Sequence, residues 1–526
     1  MRTKLILLAM FSALTFTVIT RSTTASLSND TIRVDGGLIS GVEADGVRSY
    51  KGIPFAAPPV GELRWKAPQP VVAWQGVRKC DEFGADCPQA PYPQGSMYYS
   101  PPRNQSEDCL YLNVWTTARP SDRRPVVVWI HGGALTRGSG ATRTYDGTAF
   151  SRKGVVVVTI NYRLGPLGYL AHPELTAESP NHSSGNYGVL DQIAALKWVQ
   201  KNIAAFGGDP NRVTIFGESA GSWSVNVLVA TPLAKGLFHR AIGESGGQFG
   251  PGMYLKEDRD KLPSAEKVGV AFAKAAGADS IKALRALPAE KIIEVFNNDT
   301  EGKKFRTAPN VDGWVLPDEV RNIFAKGKQN DVPVIVGSNA NEMTTLTVPT
   351  SVPKTLDDYH KRLSTQYGEA TREFDAFYPA KTDSDVPKAF LDSLRDVTFT
   401  LPMRTWARMT ATGRSKAYLY FFTHVPPNPN SKYLGAYHAS EIAYVFNNLN
   451  RQNKLLTDFD WKLSDVMQSY WVNFATTGDP NGKGLPRWIA YDLKDEAYME
   501  FGDVVQVRNH LLKEPLDFIE QVQKRR

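Results

Sequence analysis

Cysteine is scarce in this sequence. Three thiols in 526 residues, Cys80, Cys87 and Cys109, cannot staple a chain of this length. At most one pair can form, and one thiol is left over. Runs of basic residues are also missing. The longest is the C-terminal Lys524-Arg525-Arg526, so a nucleic-acid partner is not expected. No apolar run reaches the roughly twenty residues that a membrane-spanning helix needs. There is no Gly/Ser- or Pro-rich linker and no internal repeat. Length alone would suggest about three domains of ~150 residues. Without linkers, residues 26–526 read as one large domain. With 42% hydrophobic and 22% charged residues, the balance is that of a folded chain.

The first 25 residues have the layout of a secretory signal. Met1-Arg2-Thr3-Lys4 is basic, Leu5 to Ile19 is apolar, and Ser22 to Ser26 are small residues. Arg2, Lys4 and Arg21 lie in this leader, so cleavage after about Ala25 takes the formal net charge from +7 to +4. The expected product is secreted or periplasmic and has no membrane span after signal removal. In such a compartment a disulfide persists.

The apolar pattern changes along the chain. Ile32-Arg33-Val34 and Leu38-Ile39-Ser40 flank Gly36-Gly37 and predict a small N-terminal antiparallel sheet. From residue 120 onward the apolar runs become continuous. They are Val126 to Ile130, Val155 to Val158, Val213 to Phe216, Val332 to Val336 and Tyr418 to Phe422. Such runs suit strands buried on both faces of a mostly parallel sheet. Pro333 can sit only at the start or edge of its strand. Leu190 to Phe206 has helical spacing, and alternation of the two patterns predicts an α/β fold. Two stretches, 251–307 and 355–398, read as mainly helical and could cover the sheet's edge.

Gly-x-Ser-x-Gly occurs twice, as Gly217-Glu218-Ser219-Ala220-Gly221 and Gly243-Glu244-Ser245-Gly246-Gly247. A nucleophilic serine belongs on a sharp turn from strand to helix, where its hydroxyl projects and the helix N-terminus offers N–H groups to an oxyanion. The first motif follows the Val213 to Phe216 strand and precedes a plausible helix, Ser222 to Val229. The second follows a possible strand, Arg240 to Ile242, but runs into Gln248-Phe249-Gly250-Pro251-Gly252, which does not start a regular helix. Ser219 is therefore the predicted nucleophile. His131-Gly132-Gly133-Ala134-Leu135 follows the Val126 to Ile130 strand, and its N–H groups, with that of Ala220, would form an oxyanion hole.

These segments together resemble the type-B carboxylesterase and cholinesterase family of α/β-hydrolases. Phe206-Gly207-Gly208-Asp209-Pro210, running on to Gly221, is similar to the family's serine signature. Glu107 to Trp115 resembles its second signature. Gly52-Ile53-Pro54-Phe55-Ala56, Asn161 to Gly165 and Gly185 to Gln192 are similar too, and the likeness runs from about residue 31 to 510. The resemblance implies an α/β-hydrolase fold: a large, mostly parallel central sheet flanked by helices, with a small N-terminal antiparallel sheet.

The resemblance also implies the remaining site residues. His438, in Gly435-Ala436-Tyr437-His438-Ala439-Ser440-Glu441, stands where the family has its catalytic histidine; His424 is the nearest rival. Glu342, in Gly337-Ser338-Asn339-Ala340-Asn341-Glu342, matches the acid loop. The implied roles are Ser219 as nucleophile, His438 as general base and acid, Glu342 as its orienting carboxylate, and Gly133, Ala134 and Ala220 as oxyanion donors. Glu218, Ser245 and Glu441 match a supporting polar network. Arg64 with Glu107 and Arg163 with Asp191 match structural ion pairs, Asp312 matches a structural position, and Cys87 with Cys109 matches an early disulfide. Tyr99, Leu135 and Trp223 are the expected substrate-binding residues. Tyr99 replaces the tryptophan that stacks on choline in cholinesterases, which argues against choline esters. Ala134 stands where many members have a third glycine.

The implied function is hydrolysis of small-molecule carboxylic esters through an acyl-enzyme, without metal or cofactor. Two alternatives accompany it: a catalytically silent binding protein on the same fold, and another hydrolase chemistry such as amidase or lipase action.

Overall fold

The computed structural model describes residues 26–298 and 305–525, so the expected signal segment lies outside the described residues. Its strands are β1 (Ser26–Val34), β2 (Gly37–Ala44), β3 (Val47–Pro54), β4 (Val77–Lys79), β5 (Tyr111–Thr116), β6 (Arg124–Ile130), β7 (Val156–Ile160), β8 (Gly208–Glu218) and β9 (Arg240–Glu244), followed by β10 (Met253–Tyr254), β11 (Asn310–Val311), β12 (Val334–Asn339), β13 (Ala417–Phe422), β14 (Ala497–Phe501) and β15 (Val505–Asn509). Thirteen of them form one sheet in the order β1-β2-β3-β5-β7-β6-β8-β9-β12-β13-β14-β15, with β4 beside β2. The stretch from β7 to β14 is parallel throughout.

The continuous apolar runs become intelligible here. Successive strand residues point to opposite faces, and both faces are covered. Val126, Val128 and Ile130 enter one apolar cluster, with Val189, Leu196, Val225 and Leu228. Val127 and Trp129 enter the other, with Met467, Tyr470, Trp471 and Phe474. The first face is thus covered by helices Tyr187–Asn202 and Ala220–Ala230, the second by helix Asp458–Thr477. Thr457 and Asp460 close a capping box at the start of that last helix. Each fully buried valine or isoleucine contributes roughly 1.5–3 kcal/mol.

The expected antiparallel N-terminal strands are present, but not as a sheet apart. β3 pairs with β5, which pairs with β7, so they are one flank of the large sheet. The backbone edge of β5 is open to antiparallel pairing, and β3 fills it. Pro333 lies just before β12 and its carbonyl accepts from Ala241 N–H, the start position that its missing N–H allows. The two helical stretches pack mainly on helices and loops. Gly269 sits hard against the Ala171 carbonyl. Tyr359, Leu363 and Phe374 form a separate small cluster with Leu516 and Ile519 of helix Lys513–Arg525. The first stretch buries Phe272, Ile281, Leu284 and Ile292 in the main core cluster, while the second packs against helix Lys513–Arg525.

The ion pairs form as expected. Arg163 donates twice to Asp191, Nε to Oδ2 at 2.8 Å and Nη2 to Oδ1 at 2.7 Å, fully buried. Arg64 Nε donates to Glu107 Oε1 at 2.6 Å. Asp312 accepts from Asn186, Trp314 and Leu316. Cys87 and Cys109 are joined, and Cys80 is a free, buried thiol that burial pushes up to about 12.

Candidate active site

Parallel strands deliver their C-terminal ends to one side of the sheet, where α/β proteins bind ligands. Four neighbouring strands, β6, β8, β9 and β12, end here in His131, Ser219, Ser245 and the Glu342 loop. β13 leads to the loop that carries His438.

Ser219 sits between β8 and helix Ala220–Ala230 with φ 57° and ψ −121°, a conformation L-residues rarely adopt. Small neighbours permit it. A Cβ on Gly221 would fall 2.0 Å from the Ile130 carbonyl oxygen, so only glycine lets the helix start directly on β6. The second motif has the same shape. Gly217 and Glu218 pair with Gly243 and Glu244 in register, and Ser245 also has a positive φ, 54°. The two motifs are side-by-side strand ends. Only Ser219 is followed by a helix, and only Ser245 has its hydroxyl committed.

That commitment is to Glu342. Ser245 Oγ donates to Glu342 Oε1 at 2.6 Å, and Asn339 N–H donates to the same oxygen at 2.7 Å. The other oxygen, Oε2, accepts from His438 Nδ1 at 2.6 Å. Two donors on one oxygen orient the carboxylate toward the imidazole. The loops bearing Glu342 and His438 are also laced together. Asn341 N–H donates to the Ala436 carbonyl, Ala436 N–H to Asn341 Oδ1, and Thr344 Oγ1 to the Leu434 carbonyl.

The other imidazole nitrogen, His438 Nε2, lies 3.1 Å from Glu218 Oε1 without hydrogen-bond alignment. The Ser219 hydroxyl makes no hydrogen bond to a described residue. The imidazole therefore stands beside the Glu218–Ser219 turn with its Nε2 uncommitted. The rival histidines are occupied elsewhere. His424 lies between Asp460 and Asp503. His131 is stacked on Tyr162 and held neutral, its pKa lowered to about 4 by burial.

Glu218, Glu244 and Glu441 are buried near Glu342. Burial raises Glu218 and Glu441 well above the usual carboxylate range, and neighbouring carboxylates add to the effect. Burial raises Glu244 to about 8, against the pull of the Trp471 indole that donates to it at 2.8 Å. In each of the three, burial favours the neutral carboxyl over the carboxylate. Glu441 also accepts from Asn339 Nδ2, which ties it to the acid loop.

The glycine loop lies against the serine. A Cβ on Gly132 would be 3.2 Å from Ser219 Cβ. Ala134 and Leu135 both have positive φ, 57° and 60°. Among the described residues, no acceptor meets the N–H groups of Gly133, Ala134 or Ala220. Three donors beside the serine are the arrangement an oxyanion needs.

The expected substrate-binding residues fare unequally. Trp223 is half-buried next to Gly246. Leu135 is 1% exposed and belongs to the core, so it offers no surface to a ligand. Tyr99 is 37% exposed. Its neighbour Tyr98 is the one that turns inward, and Phe399 packs its ring 5.0 Å from that of His438. Neither was expected from the sequence. Phe399 lies in a wide helical turn, Asp396–Thr400, inside a helical run, a local distortion that leaves no mark in residue spacing.

A profile of the carboxylesterase family matches residues 28–519. The chain is 40% identical over 484 residues to fumonisin B1 esterase of Sphingopyxis macrogoltabida, covering 89% of this chain and 86% of that one. It is 35% identical over 478 residues to para-nitrobenzyl esterase of Bacillus subtilis, covering 88% and 93%. Among solved structures, a thermophilic para-nitrobenzyl esterase superposes with a TM-score of 0.81 at 33% identity, over 94% of this chain and all of that one. The chain belongs to the carboxylesterase family, on an α/β-hydrolase fold, and is a carboxylic ester hydrolase.

Proposed function

We propose that this chain is an exported serine esterase that cleaves carboxylic esters with Ser219, His438 and Glu342. The observation that carries the reading is the Glu342–His438 pair at 2.6 Å beside a strained Ser219 whose hydroxyl has no hydrogen-bond partner among the described residues. His438 Nε2 takes the Ser219 proton as the hydroxyl oxygen attacks the ester carbonyl, and Glu342 stabilises the imidazolium. The tetrahedral oxyanion accepts from the Gly133, Ala134 and Ala220 N–H groups. The oxyanion collapses, the alcohol leaves with the proton from His438, and an acyl-Ser219 remains. His438 then activates water, which releases the acid and restores the serine. Burial favours the neutral form of Glu218, which lies beside Nε2. Export rests on the basic, apolar and small-residue order of residues 1–25.

Hydrolysis of p-nitrophenyl esters from acetate to decanoate, by the mature chain and Ser219→Ala, tests this reading. Loss of kcat by at least about 10⁴-fold in the variant is expected. Equal rates in both, or none in either, overturn it. The chain-length optimum measures the acyl pocket.

A further inference from the structure

We propose that Tyr98, carried by the loop that the Cys87–Cys109 disulfide closes, is a positioning residue for His438. The proposal rests on the esterase reading above and adds a residue to it.

Most of the loop faces water. Pro91, Gln94, Met97, Tyr99 and Ser100 are exposed, while Tyr92 and Tyr98 turn inward. The Tyr98 hydroxyl lies 3.0 Å from the His438 carbonyl and 2.6 Å from Thr345 Oγ1. Donor counting settles the directions. A carbonyl can only accept, so Tyr98 donates to His438. Its single proton is then used, so the Thr345 hydroxyl must donate to Tyr98. Thr345 lies three residues past Glu342. The chain Thr345 to Tyr98 to His438 carbonyl therefore joins the acid segment to the base segment through a third piece of chain. Burial pushes the Tyr98 phenol up, so it remains the proton donor that this arrangement requires.

The loop is itself held at the oxyanion side. Gly138 N–H donates to Gln89 Oε1 at 2.7 Å, and Gln89 Nε2 returns a bond to the Gly138 carbonyl at 2.9 Å. Arg137 Nε donates to the Ala90 carbonyl at 3.0 Å, and its guanidinium lies over the Tyr92 ring, which meets the Tyr98 ring at 5.5 Å. One strap thus runs from the oxyanion loop, through packed tyrosines, to the backbone of the base. A loop tied at both ends resists sliding, and small displacements of a general base are costly in rate.

The test compares wild type, Tyr98→Phe, Thr345→Val and the double variant on one p-nitrophenyl ester. Tyr98→Phe keeps the ring and removes the bond. Its kcat is expected to fall about 3- to 10-fold, the net worth of one hydrogen bond, with KM within about 2-fold of wild type. Thr345→Val should lose less, and the double variant no more than Tyr98→Phe alone, because both substitutions act on one chain of bonds. An unchanged kcat, a loss confined to KM, or additive losses would overturn the proposal while leaving the esterase reading intact. An inactive wild type would sink both. If Tyr98→Phe loses its fold, seen as a collapsed Tm, Thr345→Val decides alone: a lower kcat at constant KM supports the proposal, an unchanged kcat refutes it.

Discussion

Ser245 Oγ and Glu342 Oε1 are 2.6 Å apart, and through that contact the second serine motif serves the first. The two motifs lie on paired strands, with Glu218 opposite Glu244. One strand end presents a free hydroxyl, and the next holds the carboxylate that orients the imidazole. A helix begins after the first strand and a loop after the second. On the proposed mechanism, that difference divides a duplicated pattern into an attacking part and a supporting part.

Removing that support should slow the reaction without abolishing it. Ser245→Ala leaves the Asn339 N–H on Glu342 Oε1 but deletes the hydroxyl. A fall in kcat of about 10-fold is expected, within the range for a hydrogen bond to a charged group. KM should hardly change. Steady-state kinetics on p-nitrophenyl butyrate check this, and a loss as deep as that of Ser219→Ala would make Ser245 a participant in the chemistry.

Glu244 makes stability depend on pH in a defined direction. Its folded pKa is raised to about 8 from an ordinary 4.5, so the folded state binds the proton more tightly than the unfolded chain. Its contribution is present in full below about pH 4.5 and declines as pH rises toward 8. Glu244→Gln keeps an acceptor for the Trp471 indole and removes the titration. The variant's Tm should fall less than that of wild type between pH 5 and 8. Parallel curves would show that Glu244 does not titrate in this window.

The pair Arg163–Asp191 should be costly to break. Both side chains are almost inaccessible, at 4% and 0% exposure. Asp191→Asn leaves a buried guanidinium without its counter-charge. A destabilisation of about 3–5 kcal/mol is expected. Urea denaturation of the purified variant measures it, and a change under about 1 kcal/mol would show that Arg163 finds another partner or water.

Ala134 bears on the alcohol that can leave. It is exposed at the oxyanion loop with a positive φ that glycine adopts without strain. The wild-type chain should cleave a tertiary-alcohol ester measurably. Ala134→Gly should raise that rate relative to the primary isomer, because it removes a methyl beside the acyl carbonyl. Hydrolysis of tert-butyl and n-butyl acetate gives the ratio. No tertiary turnover beside brisk primary cleavage would place the obstruction elsewhere.

The sequence by itself determined the sheet and the residues able to do chemistry. Continuous valine and isoleucine runs can be buried only between two helical layers, and Gly217 and Gly221 are demanded by the strand-to-helix contact at Ser219. Motif likeness marked Glu342 and His438, far apart in the chain, and the two are in contact. Tertiary structure alone decided the rest. The N-terminal strands joined the main sheet because β5 offered them an edge. Leu135 went into the core, and Tyr98 rather than Tyr99 turned inward, because the chain's path through the disulfide loop determines which side chain faces in. Phe399 met His438 through a local widening of a helix. Such choices depend on which surfaces meet across the fold, and residue spacing along one chain carries no record of that meeting.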